Sequence, residues 1–372
     1  MLTVDEFAAG FDEEPGYLDF ARVGPIGRAV LGEQRALDEI LRRARFGSLD
    51  ILDRQDERVR EAVAGTLGFR SDQVAFQPNT SSGLMHTMFG LTGGVAMSPA
   101  EFPSLTFAAV RAAASLHVLN PLWLEAGGPV TPGAIRDQLS ASCAAVAVSL
   151  VDFRTGYLAD LEGIRQVIGD RLLVVDAIQG FGVVDAPWEV ADVIVSGGQT
   201  WVRAGWGTGF LAMSDRAVDE LTPVFSGFNA TELPMPLDEV LPPRPGVGGF
   251  TISNPSPIAQ AMLATALEDI GEVGVSTIGE RVRANAGRII GLADEFALPV
   301  VSARADNARA GIVVLEPAAD QLTVLTAAMF NHGITATVRG GRVRLSAHVS
   351  TRDDTFEALR DAFVSFRSAT GS

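Results

Sequence analysis

Between residues 74 and 213 the chain alternates short, mostly apolar runs with longer stretches whose apolar positions recur at helical spacing. The runs fall at 74–76, 95–97, 118–124, 144–151, 172–175, 193–195 and 210–213. A run apolar at every position, not every second one, predicts a strand buried on both faces, which is the state of a mostly parallel sheet covered by helices on both sides. Helices are predicted at 27–41, at 52–67 with Gly68 as its C-cap, at 84–91, and at 131–139 with Pro132 in the first turn. Residues 223–249 are rich in Pro and Gly, including Pro234, Met235, Pro236 and Pro242, Pro243, Arg244, Pro245, and read as an irregular connection at a domain boundary. Beyond it, helices at 256–270 and 274–297 precede strands at 311–315, 335–338 and 343–345 that alternate with helices at 322–332 and 354–368. That predicts a small α/β domain.

Polar residues at the ends of the apolar runs are the candidate chemistry. Leu172, Leu173, Val174 and Val175 stop on Asp176, which delivers a carboxylate to the carboxyl edge of the sheet. The run at 193–195 breaks at Ser196, Gly197 and Gly198, followed by Gln199, Thr200 and Trp201 and then a turn containing Gly205, Gly207 and Gly209. After 74–76, Asn79, Thr80 and Ser81 open a helix. Small hydroxyl and amide side chains at a positive helix end suit a phosphate, and they equally suit a simple N-cap.

Taken together these stretches resemble the class V branch of the fold type I pyridoxal-phosphate enzymes, which holds isopenicillin N epimerase-like proteins, cysteine desulfurases and kynureninases. The resemblance implies a large domain built on a mostly parallel, seven-stranded-type sheet covered by helices, and a small C-terminal α/β domain. With it go the limits 1–22 for an N-terminal segment against the small domain and active-site mouth, 23–245 for the cofactor domain and 246–372 for the small domain. It also implies roles. Asp176 would pair with the pyridine nitrogen, Gln179 would touch the ring hydroxyl, and Asn79, Thr80 and Ser81 would hold the phosphate, with Gln199 among the cofactor contacts. Glu101, Phe102, Pro103 and Ser104 match a motif whose aromatic residue stacks on the ring, worth roughly 0.5–1.5 kcal/mol beyond burial. Val343, Arg344, Leu345 and Ser346 match one whose arginine grips the substrate carboxylate, a task suited to a planar bidentate donor. Asp152 falls in a loop that lines the substrate side. Ser253 and Asn254, after Thr251 where arginine is usual, would reach cofactor or substrate across the interface of a homodimer with shared sites.

One position departs from the family. Where the lysine that carries the cofactor as a Schiff base is expected, just ahead of Trp201, stands Thr200. All 29 residues of the Lys+Arg total are arginine, so the chain has no lysine anywhere and a shifted alignment cannot hide one. Losing the lysine removes an acid–base group worth typically about 10²- to 10⁴-fold, while the phosphate cup, Asp176 and Phe102 are independent of it. Asp152, Tyr157 and His348 are the candidates for a replacement base.

Three readings are open at this stage. The first is an enzyme acting on an amino acid or related carboxylate, with pyridoxal 5'-phosphate or pyridoxamine 5'-phosphate held non-covalently. The second is a catalytically silent member serving as a binding or regulatory partner. The third is an enzyme reusing the cleft without any cofactor. Asp176, Gln179 and Arg344 favour the first; Thr200 and Thr251 favour the second. Transamination, racemisation and elimination all remain open, and desulfuration is disfavoured because Cys143, the single cysteine, lies in an apolar run.

Composition narrows the partners. A net charge of −16 opposes non-specific binding to nucleic acid or an anionic membrane. The four histidines, His86, His117, His332 and His348, lack ligand spacing, so no metal is expected. An acidic N-terminus without a basic-then-apolar signal, and no charge-free apolar run of about 18 residues, point to the cytoplasm.

Overall fold

The computed structural model describes residues 2–125, 128–232 and 238–371; Pro234, Met235 and Pro236, expected in an irregular connection, lie outside them. Seven strands, β1 (Val74–Phe76), β2 (Gly93–Met97), β3 (Leu119–Trp123), β4 (Cys143–Ser149), β5 (Leu172–Asp176), β6 (Val193–Gly197) and β7 (Gly209–Met213), form one sheet in the order β1-β7-β6-β5-β4-β2-β3. Only β7 runs against its neighbours. The apolar runs are explained by the two faces of this sheet. Val146, Val148, Leu173, Val175 and Ile194 enter one apolar cluster, and Ala145, Ala147, Leu172, Val174, Val193 and Val195 enter the other, because successive side chains on a strand point to opposite sides.

Helices Thr80–Gly90 and Pro103–Leu116 close the second face with Leu84, Met88, Leu105, Ala108 and Ala112. Helices Arg28–Arg43, Gln55–Leu67 and Leu161–Ile168 close the first. Helix Pro257–Val273, expected in the small domain, joins them: Leu263, Leu267 and Ile270 are buried in the same cluster as Val59 and Val63. Its apolar stripe has its counterpart on the large sheet, not on the strands that follow it in sequence.

A second sheet, order β8-β10-β9, is made of β8 (Ile312–Leu315), β9 (Thr337–Arg339) and β10 (Arg342–Ser346), all antiparallel. Gly340 and Gly341, at φ 58° and 80°, form the two-residue turn between β9 and β10, where both positions require the left-handed region. Leu18, Ile289, Val343, Leu345, Phe363 and Phe366 build its own cluster under helices Val275–Glu295 and Asp353–Thr370. Among the described residues no helix is long and apolar enough to cross a membrane.

The N-terminal segment fastens the two layers. Tyr17 and Asp19 bridge to Thr335 and Ser346 of the small layer, while the Gly24 amide donates to the Gln199 carbonyl at 2.8 Å. Arg203, held at φ 60°, pairs with Glu13 at 2.6 Å with side chains 1% and 8% exposed, and stacks on Phe11 at 3.5 Å. A buried pair of this kind is held by its geometry, and removing one partner typically costs about 3–5 kcal/mol. Gly24 lies so close to the carbonyl of Thr200 that a Cβ there would overlap it. Gly24→Ala is therefore expected to lower the unfolding free energy by about 1–3 kcal/mol in chemical denaturation, through overpacking against a backbone that cannot retreat.

Candidate active site

A cavity of about 730 Å³ lies where the carboxyl ends of β4, β5 and β6 meet the small sheet. Its floor is Ser149, Asp176, Ile178, Gln179, Gln199 and Thr200; one side is Asn79, Thr80, Ser81, Phe102 and Ser104; its roof is Thr337, Arg339, Arg342 and Arg344. The fold thus brings nine sequence-derived candidates to one wall: Asn79, Thr80, Ser81, Phe102, Asp176, Gln179, Gln199, Thr200 and Arg344.

Asp176 is 1% exposed. Its Oδ1 accepts from the Ile178 amide at 3.1 Å, and its Oδ2 has no partner among the described residues. Burial raises its pKa to about 7, against one lowering contact from that amide. Thr200, three residues beyond β6, donates its hydroxyl to the Ile178 carbonyl at 3.0 Å, so the loops after β5 and β6 are tied to each other beneath the cavity. Gln179 is held at both ends of its amide: Oε1 accepts from the Trp201 indole at 2.8 Å, and Nε2 donates to the Ala21 carbonyl at 2.9 Å.

Asn79 caps helix Thr80–Gly90 by accepting from the Ser82 amide at 2.9 Å, which leaves the earlier amides of the first turn for a ligand. The Thr80 hydroxyl is buried without a partner, and Ser81 meets Ser104 at 2.7 Å. Phe102 precedes helix Pro103–Leu116 and stands edge-on to Phe153 at 5.1 Å. Arg344 reaches Thr337 Oγ1 and the Phe153 carbonyl, each at 3.3 Å, and Asp19 at 3.6 Å; its buried Nε has no partner, and burial lowers its pKa.

Other candidates stand elsewhere. Asp152, expected on the substrate side, is outside the wall because its carboxylate accepts from Arg154 and Thr155 within its own turn. Ser253 and Asn254 are exposed and also outside the wall. His348 is buried behind Trp201, with Nε2 3.0 Å from the Trp201 carbonyl and its ring stacked on Phe20; burial lowers its pKa well below the usual value, so it is neutral and sequestered. Glu101, which sequence reasoning left without a role, lies behind Ser149, whose amide and hydroxyl donate to it at 3.2 and 2.5 Å; burial pushes its pKa up to about 7.

Three of the unpartnered buried polar atoms, Thr80 Oγ1, Asp176 Oδ2 and Arg344 Nε, belong to residues of this one wall. Buried polar atoms are normally paired, so each of these is open to a bond from a ligand or a water. The set comprises an acceptor for a cationic N–H, a hydroxyl at a helix start for an anion, and a guanidinium for a second anion. It fits a phosphorylated pyridine cofactor together with a carboxylate.

The architecture is that of the fold type I pyridoxal-phosphate enzymes. Residues 52–243 match the aminotransferase class-V family, and the chain belongs to it. A probable cysteine desulfurase from Methanothermobacter thermautotrophicus is 27% identical over 226 residues, which is 57% of this chain and 56% of that protein; the match thus spans about half the length of that relative. The apo cysteine desulfurase from Thermococcus onnurineus superposes with a TM-score of 0.84 at 20% identity, covering 96% of this chain and 95% of that one. A lysine-to-alanine variant of C-DES, with glycine covalently linked to its pyridoxal-phosphate cofactor, superposes with a TM-score of 0.83 at 15% identity, covering 94% and 96%.

The buried carboxylate sets a pH dependence. Asp176 keeps its proton in the folded protein up to about pH 7, whereas the unfolded chain releases it near the ordinary value of 3.8. Over that interval the folded state binds the extra proton, so this group's contribution to stability falls as pH rises. Asp176→Asn, which cannot ionise, is expected to gain stability relative to the parent on going from about pH 5 to about pH 8, measured by urea unfolding of cofactor-free protein. A difference that stays constant with pH would contradict the burial of an ionisable group there.

Proposed function

We propose that this protein binds pyridoxal 5'-phosphate or pyridoxamine 5'-phosphate non-covalently and acts on an amino acid or a related carboxylate. The observation that carries this is Asp176 Oδ2, a buried carboxylate oxygen without a partner in the cavity wall. When bound, the cofactor supplies an electron sink for bonds at the substrate's α-carbon. Asp176 keeps a proton at the ring nitrogen, Phe102 covers the ring, and Asn79, Thr80 and Ser81 hold the phosphate at the helix start. Gln179 has one N–H left for the ring hydroxyl, Gln199 lines the floor, and Arg344 orients the carboxylate. The C-DES variant that carries its cofactor-linked glycine after a lysine-to-alanine change supports retention without a lysine.

Thr200 has no part as a base in this reading, since its hydroxyl donates to a backbone carbonyl and has no carboxylate or imidazole beside it. It holds the floor in shape. Cys143 begins β4 at the end remote from Ser149 and is buried, so it cannot carry sulfur at the cavity, and desulfuration through a cysteine persulfide is disfavoured. Ser253 and Asn254, exposed here, would complete the cavity of a second copy in a homodimer, and a cytoplasmic location belongs to the same reading. The competing reading is a silent binding partner, favoured by the fixed Thr200 hydroxyl.

The deciding measurement is the near-ultraviolet and visible spectrum of protein loaded with pyridoxal phosphate, before and after gel filtration and borohydride reduction. Retained absorbance without a covalent adduct is the expected result; complete loss on the column would favour the silent partner. In the same assay Asp176→Ala is expected to lose the cofactor. Arg344→Ala is expected to keep it while weakening carboxylate binding by about 10- to 100-fold, the range of a charge-assisted hydrogen bond. Equal cofactor loss in both variants would contradict these roles.

A further inference from the structure

The roof of the cavity carries more positive charge than one carboxylate needs. In a chain of net charge −16, Arg339, Arg342 and Arg344 line it from the small sheet, and Arg22 and Arg154 line it from the loops. The hairpin register explains the first three. Arg342 is paired directly across from Arg339, and Arg344 across from Thr337. Directly opposed residues share a face, as do residues two apart, so all three arginines stand on one face, while Val343 and Leu345 enter the small cluster on the other. The tight turn of Gly340 and Gly341 fixes this arrangement.

Like charges directly opposed across a strand pair are destabilising. Arg342 is relieved by Glu316 at 2.8 Å, Arg154 by Asp152 at 3.3 Å, and Arg22 and Arg344 share Asp19 at 3.9 and 3.6 Å, which leaves Arg339 as the one without an acid. Arg339 has no ion pair or side-chain hydrogen bond among the described residues; burial is the main cause that lowers the pKa of Arg344, and the like charges of Arg22 and Arg339 act in the same direction. A second anion held there would remove that repulsion.

We propose that the substrate is an amino acid bearing a second anionic group, with Arg344 on the α-carboxylate and Arg339, flanked by Arg342, on the second acid. This rests on the cofactor reading only for the role of Arg344. Arg339 and Arg344 are diagonal neighbours on the strand pair, close enough for long side chains on one face to reach a single small ligand.

The test compares acids with their isosteric amides. Aspartate against asparagine, and glutamate against glutamine, are titrated calorimetrically into protein supplied with pyridoxal phosphate and into cofactor-free protein. At least about a tenfold preference for one acid over its amide is expected, shrinking with added salt and falling to within about threefold in Arg339→Gln. Equal affinity for acid and amide in protein that keeps its cofactor absorbance would overturn this inference and leave the proposed function standing. Loss of the cofactor would overturn that function instead, and the titration of cofactor-free protein then decides the present point alone. A preference that persists in the double variant Arg339→Gln, Arg342→Gln would also overturn it.

Discussion

A buried carboxylate without a counter-charge among the described residues is the constraint around which the site is arranged. Asp176 ends β5, which has strands on both sides and helices on both faces, so the side chain emerges where the core has already excluded solvent. One backbone amide answers one of its oxygens. Leaving such a group ionised and unpaired costs more than a small domain tolerates, and the raised pKa expresses the alternative, retention of a proton. A ligand that brings a cationic N–H to Oδ2 would exchange that proton for an ion pair. The carboxylate is therefore matched to a partner that the polypeptide does not itself supply.

The surroundings of Asp176 are stiff for reasons separate from its chemistry. The Ile178 amide faces the carboxylate and the Ile178 carbonyl takes the Thr200 hydroxyl, so the loops after two neighbouring strands share one residue as a tie. Below them Trp201 donates to Gln179 and packs against His348, and Arg203 is locked to Glu13 and Ser350. The N-terminal segment thereby holds the floor in place while its neighbours, Tyr17 to Asp19, pair with the small layer. Floor and roof are positioned by one stretch of chain, which is how a cavity between two layers keeps a defined width.

The large sheet was legible because a strand buried on both faces leaves an apolar run, and each run became a strand; the one broken by Asn120 and Pro121 became β3, the half-exposed edge strand. Helix Pro103–Leu116 was not, because its buried side is largely alanine, Ala108, Ala109 and Ala112, which contrasts little with its other faces. The placement of helix Pro257–Val273 depends on which layer its apolar stripe meets, and periodicity does not carry that information. Among site residues, those at strand ends were readable. Asp152 is a different case, because an acid beside Arg154 and Thr155 finds its partners locally, within a tight turn next to the cavity-lining Phe153 and Arg154. Arg339 and Arg342, unlike Arg344, were not legible as cavity residues because β9 is short and half exposed, and its charges acquire meaning only through their register with β10.

The absent lysine is informative through what surrounds it. Were the cleft an idle remnant, Asp176 would be the costliest residue to keep, since an apolar or amide side chain of similar volume removes a buried titratable group at no loss of packing. Thr80 and Arg344 are open to the same argument, because each leaves a buried polar atom unsatisfied toward the cavity. Three separate costs borne on one wall, by groups of complementary chemistry, favour a ligand that repays them together. The lysine is the one element whose loss leaves no such debt. In its place Thr200 donates its hydroxyl to the Ile178 carbonyl, and the side chain is buried in the floor. This asymmetry, in which buried polar groups are left without partners on the cavity while a hydrogen-bonded residue stands at the position of the covalent anchor, is what the proposed non-covalent site accounts for.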